Sequence, residues 1–305
     1  MSSAVITQGI FPKLLVEGLR KISDHTKSQL PVYWDKMYTT EISSKKAEEY
    51  LMTAGLGMAQ VMAEGEAVPS DIMQQVYVTR IANLNYGVSF SITSNMLEDN
   101  QHKEFALQKT RSLTRAVLVA REVDGALVFD RAFNSSYLGG DGLELCSAAH
   151  VSVFGTWNNE LDTAADLSEV ALEQAMVDVA DFRDERGIRM NISANRLIVP
   201  NALIQFDAKR ILGSSLQPDS AQNNINALKA MGYLPGGFSV NRYLGAAKAW
   251  FLITDAPDGL IYQSRKEPEL SQHNEWDTEN IRIKILARWA FKWHDPRAVF
   301  GSPGA

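Results

Sequence analysis

Between Ile281 and Trp293 the chain alternates almost without interruption. Ile281, Ile283, Ile285, Ala287, Trp289, Phe291 and Trp293 form one apolar row; Asn280, Arg282, Lys284, Arg288 and Lys292 form the intervening polar row, broken only by Leu286 and Ala290. A period of two puts the rows on opposite faces of a single β-strand. At about 3.3 Å per residue that strand would span roughly 43 Å, whereas strands of about five or six residues are usual. The "HDPR" that follows reads as a turn.

Upstream, residues 1–47 are mixed in character. "FPKLLVEGLRKISDH" predicts a turn or two of amphipathic helix through Leu14, Leu15, Leu19 and Ile22, and the polar "TTEISSKK" after Pro31 leaves no second apolar face, so the segment reads as an arm. From Glu49 two β-tolerant runs, "EYLMTAGLGMAQVM" and "IMQQVYVTRIA", flank the polar stretch 63–71, predicting a long hairpin whose tip carries Glu64, Gly65, Glu66, Pro69 and Asp71. "NYGVSFSIT" adds a strand with Tyr86, Val88, Phe90 and Ile92 on one face. Asn95 with Glu98 has the form of a reciprocal helix cap. The proline-free stretch after it, striped by Ala106, Leu113, Val117, Ala120, Val123 and Leu127, predicts a helix of about thirty residues, near 45 Å long, that Gly125 could bend or end.

A turn-rich passage over 134–150 leads to a compact α/β stretch over about 160–270. It comprises a helix through Val170, Leu172, Ala175, Met176, Val179 and Phe182 closed by Gly187, a buried strand "NRLIVP", a helix from Asn201, and the strands "AWFLITDA" and "GLIYQSRK" joined by the turn "PDG". No internal repeat and no low-complexity segment is visible.

Composition narrows the function more than the fold. With 45% apolar and 22% charged residues the chain can bury a real core, and its 36 acidic against 30 basic residues (net charge −6, pI near 5.5) argue against a dedicated nucleic-acid binder. The single cysteine, Cys146, rules out an intrachain disulfide or a multi-thiolate metal site and fits a reducing compartment. No stretch reaches the ~18 apolar residues of a membrane span, and no secretory leader pattern opens the chain, which suggests synthesis in cytoplasm.

Signals for chemistry are weak. "GLGMAQ" at 55–60 begins like a dinucleotide loop but has Gln60 where a glycine is needed; glycines relieving crowding in a hairpin are the simpler reading. There is no phosphate-cradling Gly-Lys-Ser/Thr loop and no Gly-x-Ser-x-Gly elbow. Cys146 lies four residues before His150, the one thiol–imidazole arrangement on offer, although lone buried cysteines are commoner. The five histidines lack ligand spacing, and Asp181, Asp184 and Glu185 read as a solvated face. No catalytic, metal or cofactor site is therefore expected. Arg282, Lys284, Arg288 and Lys292 share one face of the long strand. Either that face is simply half-exposed, or it pairs with acidic groups of a neighbouring subunit such as Glu64, Glu66 and Asp71, in which case Glu66→Lys should disturb assembly without unfolding the subunit.

An arm, a projecting hairpin, a long helix, a compact α/β region and a long closing strand make a flat plate that suits symmetric assembly. This order, together with the block "AWFLITDAPDGLIYQSRKEPEL" followed by "RIKILARWAFKWHDPRAVFGSPG", resembles the major capsid proteins of tailed bacteriophages, the Hong Kong 97-type shell fold. The resemblance implies an α+β fold with an N-terminal arm at 1–47, an extended loop at 48–93, a peripheral domain at 94–159 with its spine helix, an axial domain at 160–270, and a return to the peripheral domain at 271–305. It implies a shell subunit, not an enzyme, that forms hexamers and pentamers of itself, closes into an icosahedral head around double-stranded DNA without reading its sequence, and resides in the virion after assembly in the host cytoplasm. A portal and a possible cement protein would be partners. Members that crosslink through an extended-loop lysine differ from this chain, which has no lysine between Lys46 and Lys103; members with a cleaved N-terminal scaffolding segment differ too, so a separate scaffold protein or prior maturation is implied. Rival readings are an encapsulin-type nanocompartment around a protein cargo, a cytosolic enzyme using Cys146 and His150, and a tail or connector component.

Overall fold

The computed structural model describes residues 11–93, 95, 96, 102–216, 224–274 and 280–305, with only the backbone of 11–16, 102 and 103. Two four-stranded sheets organise it. The first runs β1 (Thr39–Ile42), β10 (Leu260–Asn274), β11 (Ile281–Trp293), β4 (Leu84–Ile92), and the second β12 (Val299–Ser302), β9 (Trp250–Thr254), β7 (Ala194–Pro200), β8 (Phe238–Asn241). A hairpin, β2 (Ala47–Ala54) with β3 (Gln74–Ala82), stands apart from both, and β5 (His150–Val151) pairs with β6 (Thr156–Trp157).

The long strand forms as its alternation predicts. β11 has 13 residues; Ile281, Ile283, Ile285, Ala287, Trp289 and Trp293 are buried, and Phe291 is half-buried. It is antiparallel to β10 on one side and to β4 on the other, Ile281 opposite Ile92 and Trp289 opposite Leu84. Across its apolar face lies the long helix α2 (His102–Asp130) of 29 residues. The expected stripe holds through Ala106, Leu113 and Val117 and then slips. Val123 is exposed, while Glu122, Ala126 and Phe129 are buried. The slip has a polar cause: Glu122 accepts the backbone N–H groups of Tyr33 and Trp34 at 3.1 and 3.3 Å, so a charged residue occupies a core position. Gly125 does not end the helix, which runs on to Asp130. A Cβ there would meet that of Trp34 at 3.2 Å, and its carbonyl accepts the Tyr38 hydroxyl at 2.7 Å. The cap expected at Asn95 involves Glu98, which lies outside the described residues.

The segment before the hairpin is more structured than its polarity suggests. Helix α1 (Phe11–Gln29) has 19 residues and packs on α2, with Leu19 buried and the Ser23 and Thr114 hydroxyls 3.0 Å apart. Trp34, Met37 and Tyr38 enter the core around Phe291, supplying a second apolar face where the polar sequence predicts none. β1 then pairs parallel to β10.

In the second sheet, β7 and β9 are buried on both faces. Ile198, Phe251 and Ile253 turn toward the first core, and Leu197, Val199, Trp250 and Leu252 toward a second core covered by α3 (Glu169–Ala180), α4 (Ile204–Gly213) and α5 (Ala227–Met231). α3 starts at Ser168, whose hydroxyl accepts the Ala171 N–H at 3.1 Å. It ends seven residues before Gly187, which instead shapes a later turn at φ +81°; Val170 is exposed. The strands around "PDG" do not pair with each other. β9 belongs to the second sheet and β10 to the first, so this turn carries the chain between sheets, and β10 runs on to 15 residues to match β11. "HDPR" is a turn, with the Asp295 carboxylate accepting the Arg297 N–H at 2.9 Å before β12 pairs with β9.

Candidate functional site

The hairpin is anchored at its base and unpaired beyond it. Its ladder runs from Ala47 opposite Ala82 to Ala54 opposite Gln74, shorter than the apolar runs suggest, and no strand forms over 55–73. At the base Ile81 packs with Tyr50, Ile261 and Ala290 on the polar side of the first sheet, Gln263 donates to the Tyr50 hydroxyl at 2.7 Å, and the Tyr77 hydroxyl donates to the His294 carbonyl at 3.1 Å. The loop exposes Leu56, Met58, Val61, Met62, Val68, Ile72 and Met73. Exposed apolar concentrations of this kind commonly mark contact surfaces.

The three expected acidic contacts have different surroundings. The Glu66 carboxylate accepts the Ala63 N–H at 2.9 Å and closes the tip's own turn, with Gly65 at φ +84°. Asp71 accepts the N–H groups of Gly57 and Ile72 at 2.7 and 2.8 Å and pairs with Arg186 of its own chain at 2.5 Å; these bonds hold its carboxyl below the usual range. Glu64 is exposed and has no partner among the described residues.

The four expected cations do share the outward row of β11 but divide between two settings. Arg282 is exposed and lies opposite Ser91; Lys284 and Arg288 are half-buried and lie opposite Ser89 and Asn85. Lys292, also half-buried, lines a separate cleft of about 480 Å³ between the hairpin base and the C-terminal end of α2, and burial lowers its ammonium pKa. Arg80 and Arg131 line the same cleft, with apolar walls from Leu84 and Tyr137; the Arg131 guanidinium sits 4.1 Å from the Tyr137 ring centre. Trp293 also lines it, its buried Nε1 has no acceptor, and the cleft's carboxylate, Asp124, already accepts Trp289 Nε1 at 2.8 Å. The cleft is thus net cationic and apolar-walled. Arg80 and Arg131 lie far from Lys292 in sequence, and no spacing could have grouped them.

The thiol–imidazole pair does not form. Cys146 is buried, which pushes its thiol pKa up and disfavours the reactive thiolate. Both ring nitrogens of His150 are engaged elsewhere, Nδ1 with Asp141 at 2.6 Å and Nε2 with Asn159 Oδ1 at 3.1 Å. Asn159 in turn donates to the carbonyls of Leu145, Pro296 and Val299 at 2.7, 3.0 and 2.9 Å, tying the turn-rich passage to the chain's last turn. Beside it Arg297 is buried, pairs with Glu185 at 2.8 Å and Asp295 at 3.3 Å, and sits 4.5 Å from the Trp157 ring centre. Glu185 is therefore a core residue, not part of a solvated face. These residues join the two cores. Among the described residues no group of acids, histidines or cysteine could hold a metal, and no helix is long and apolar enough to cross a membrane.

Solved structures resemble the whole arrangement. A virus-like particle from Pyrococcus furiosus matches with a TM-score of 0.56 at 8% identity, covering 94% of this chain and 98% of that one. The procapsid of bacteriophage JBD30 matches at 0.52 and 14% identity, covering 97% and 76%. Microbacterium phage Oxtober96 matches at 0.50 and 10% identity, covering 90% of each chain. At such identities the likeness establishes the fold, the α+β Hong Kong 97-type shell fold. No curated protein matches in sequence. The profile of the phage capsid protein family covers residues 78–301, from the second hairpin strand to β12, and the chain belongs to that family.

Proposed function

We propose that the chain is a shell subunit that assembles with itself into hexamers and pentamers and closes into an icosahedral head around double-stranded DNA. Residues 1–47 serve as arm, 48–93 as extended loop, 94–159 and 271–305 as peripheral domain and 160–270 as axial domain, with no catalytic activity. The observation that carries this reading is the loop 55–73, which exposes seven large apolar residues that its own chain leaves uncovered. A monomer gains nothing from such a surface; a lattice buries it. The acidic balance agrees, because a closed shell retains DNA without gripping phosphates. Such a head needs a portal and, in the absence of a loop lysine, non-covalent or cement-protein contacts; it is built in the host cytoplasm and ends in the virion.

Within that assembly the tip of one copy meets the cations of the next. Of Glu64, Glu66 and Asp71 only Glu64 is unengaged, and of the β11 cations Lys292 sits where apolar walls and two arginines could receive an acidic, apolar tip. Glu64→Lys should then slow or abolish shell formation while the subunit's unfolding midpoint stays unchanged. Combining it with Lys292→Glu should restore part of the assembly. Normal shells from Glu64→Lys alone would refute the pairing.

The encapsulin-type alternative is kept by one observation, the similarity to the Pyrococcus furiosus particle over nearly the whole of both chains. The contents of purified particles separate the readings, since packaged DNA supports the head and a protein cargo supports the compartment.

A further inference from the structure

The loop 55–73 is clasped at its neck by a post rising from the second half of the fold. The post is the turn Asp184–Ile188. The Asp184 carboxylate accepts the N–H groups of Arg186 and Ile188, each at 2.8 Å, the Ile188 carbonyl accepts the Asp184 N–H at 2.8 Å, and Gly187 takes the positive φ that the reversal requires. Glu185, in the middle of the turn, is 3% exposed and ion-paired to Arg297, so the post is rooted in the core. At its top Arg186 spreads its guanidinium over the loop, Nη1 to the Asp71 carboxylate at 2.5 Å and Nη2 to the Ile72 carbonyl at 2.6 Å. Asp71 reaches across to the Gly57 N–H at 2.7 Å, so one arginine closes both sides of the neck. A Cβ at Gly57 would lie 3.2 Å from Asp71 Oδ2 and 3.4 Å from Arg186 Nη1, so the backbone must come this close for the closure to form.

We infer that Arg186 is a positioning residue for assembly: its clasp on Asp71, Ile72 and Gly57 fixes the direction in which residues 58–70 project and couples the loop to the second sheet. The inference rests on the shell-subunit reading. A planar fork holding two acceptors at once does what a lysine cannot. The core-rooted post supplies the rigidity that an exposed ion pair alone lacks.

Hydrogen exchange on the unassembled subunit, paired with shell assembly, tests it. In Arg186→Gln the Gly57 amide should exchange roughly tenfold or more faster, the scale of losing a hydrogen bond to a charged group, while amides of β11 keep their wild-type rates. Arg186→Lys should fall between, and both variants should yield fewer or misshapen shells in the same order. Unchanged exchange at Gly57, or faster exchange with normal shells, would overturn the inference. A wild-type chain that forms no shells at all would instead overturn the shell-subunit reading, so the two failures are distinguishable.

Discussion

The ring of Tyr86 lies flat on the indole of Trp289, with ring centres 4.0 Å apart and planes 5° from parallel. Tyr86 is on β4 and Trp289 on β11, and Trp289 Nε1 donates to Asp124 of α2 at 2.8 Å. One residue of the long strand thus joins an outer strand and the covering helix. Trp289→Ala should destabilise the unassembled subunit by about 3–5 kcal/mol, the usual cost of emptying a large aromatic site. Trp289→Phe should cost less, on the order of 1–3 kcal/mol, because it removes one of the hydrogen bonds to Asp124 but keeps an aromatic ring in the site. Denaturant midpoints of the two variants check the order; equal losses would contradict it.

Arg297 offers a second test. It is 1% exposed and neutralises Glu185 and Asp295. Arg297→Met should cost about 3–5 kcal/mol because it strands buried carboxylates, and adding Glu185→Leu should recover part of the loss. A double variant less stable than the single would show that the pair, not the desolvation it relieves, holds the junction.

Gly259 sits where the chain crosses from β9 to β10. A Cβ there would lie 2.0 Å from that of Ala298. Gly259→Ala should therefore cost about 1–3 kcal/mol by overpacking, and the loss should appear as a lowered thermal midpoint without a change of secondary structure.

Burial lowers the pKa of His294, against the pull of Asp295, Asp258 and Glu41. The sign follows directly. Above about pH 6.5, the ordinary histidine value, the group is neutral whether the chain is folded or not. As pH falls below that value the unfolded chain takes up the proton first, so stability is lost until the depressed folded pKa is reached. Wild type should lose more stability between pH 7.5 and 5.5 than His294→Gln does. Parallel curves would mean that His294 is not held neutral in the fold.

The sequence is most legible where one physical rule acts alone. β11 is buried on one face and flanked on both edges, so its alternation survives intact and its two ends could be read to the residue. Legibility fails where polar residues hold core positions. Glu122 displaces the stripe of α2 because it binds the backbone of a segment some ninety residues earlier. Arg297 reads as a turn residue and Asn159 carries no sequence signal, yet both are buried links between the two cores. Trp34 and Tyr38, set among polar neighbours, show no period, yet they pack on Phe291. The charged candidates divide likewise. Lys292, Arg80 and Arg131 meet only through folding, and Asp71 is claimed by an arginine 115 positions away.

Electron microscopy of the protein expressed alone tests the central claim most directly. Closed shells built of hexamers and pentamers are the predicted result. A monodisperse monomer under every assembly condition, or open rings and tubes in place of shells, would contradict it.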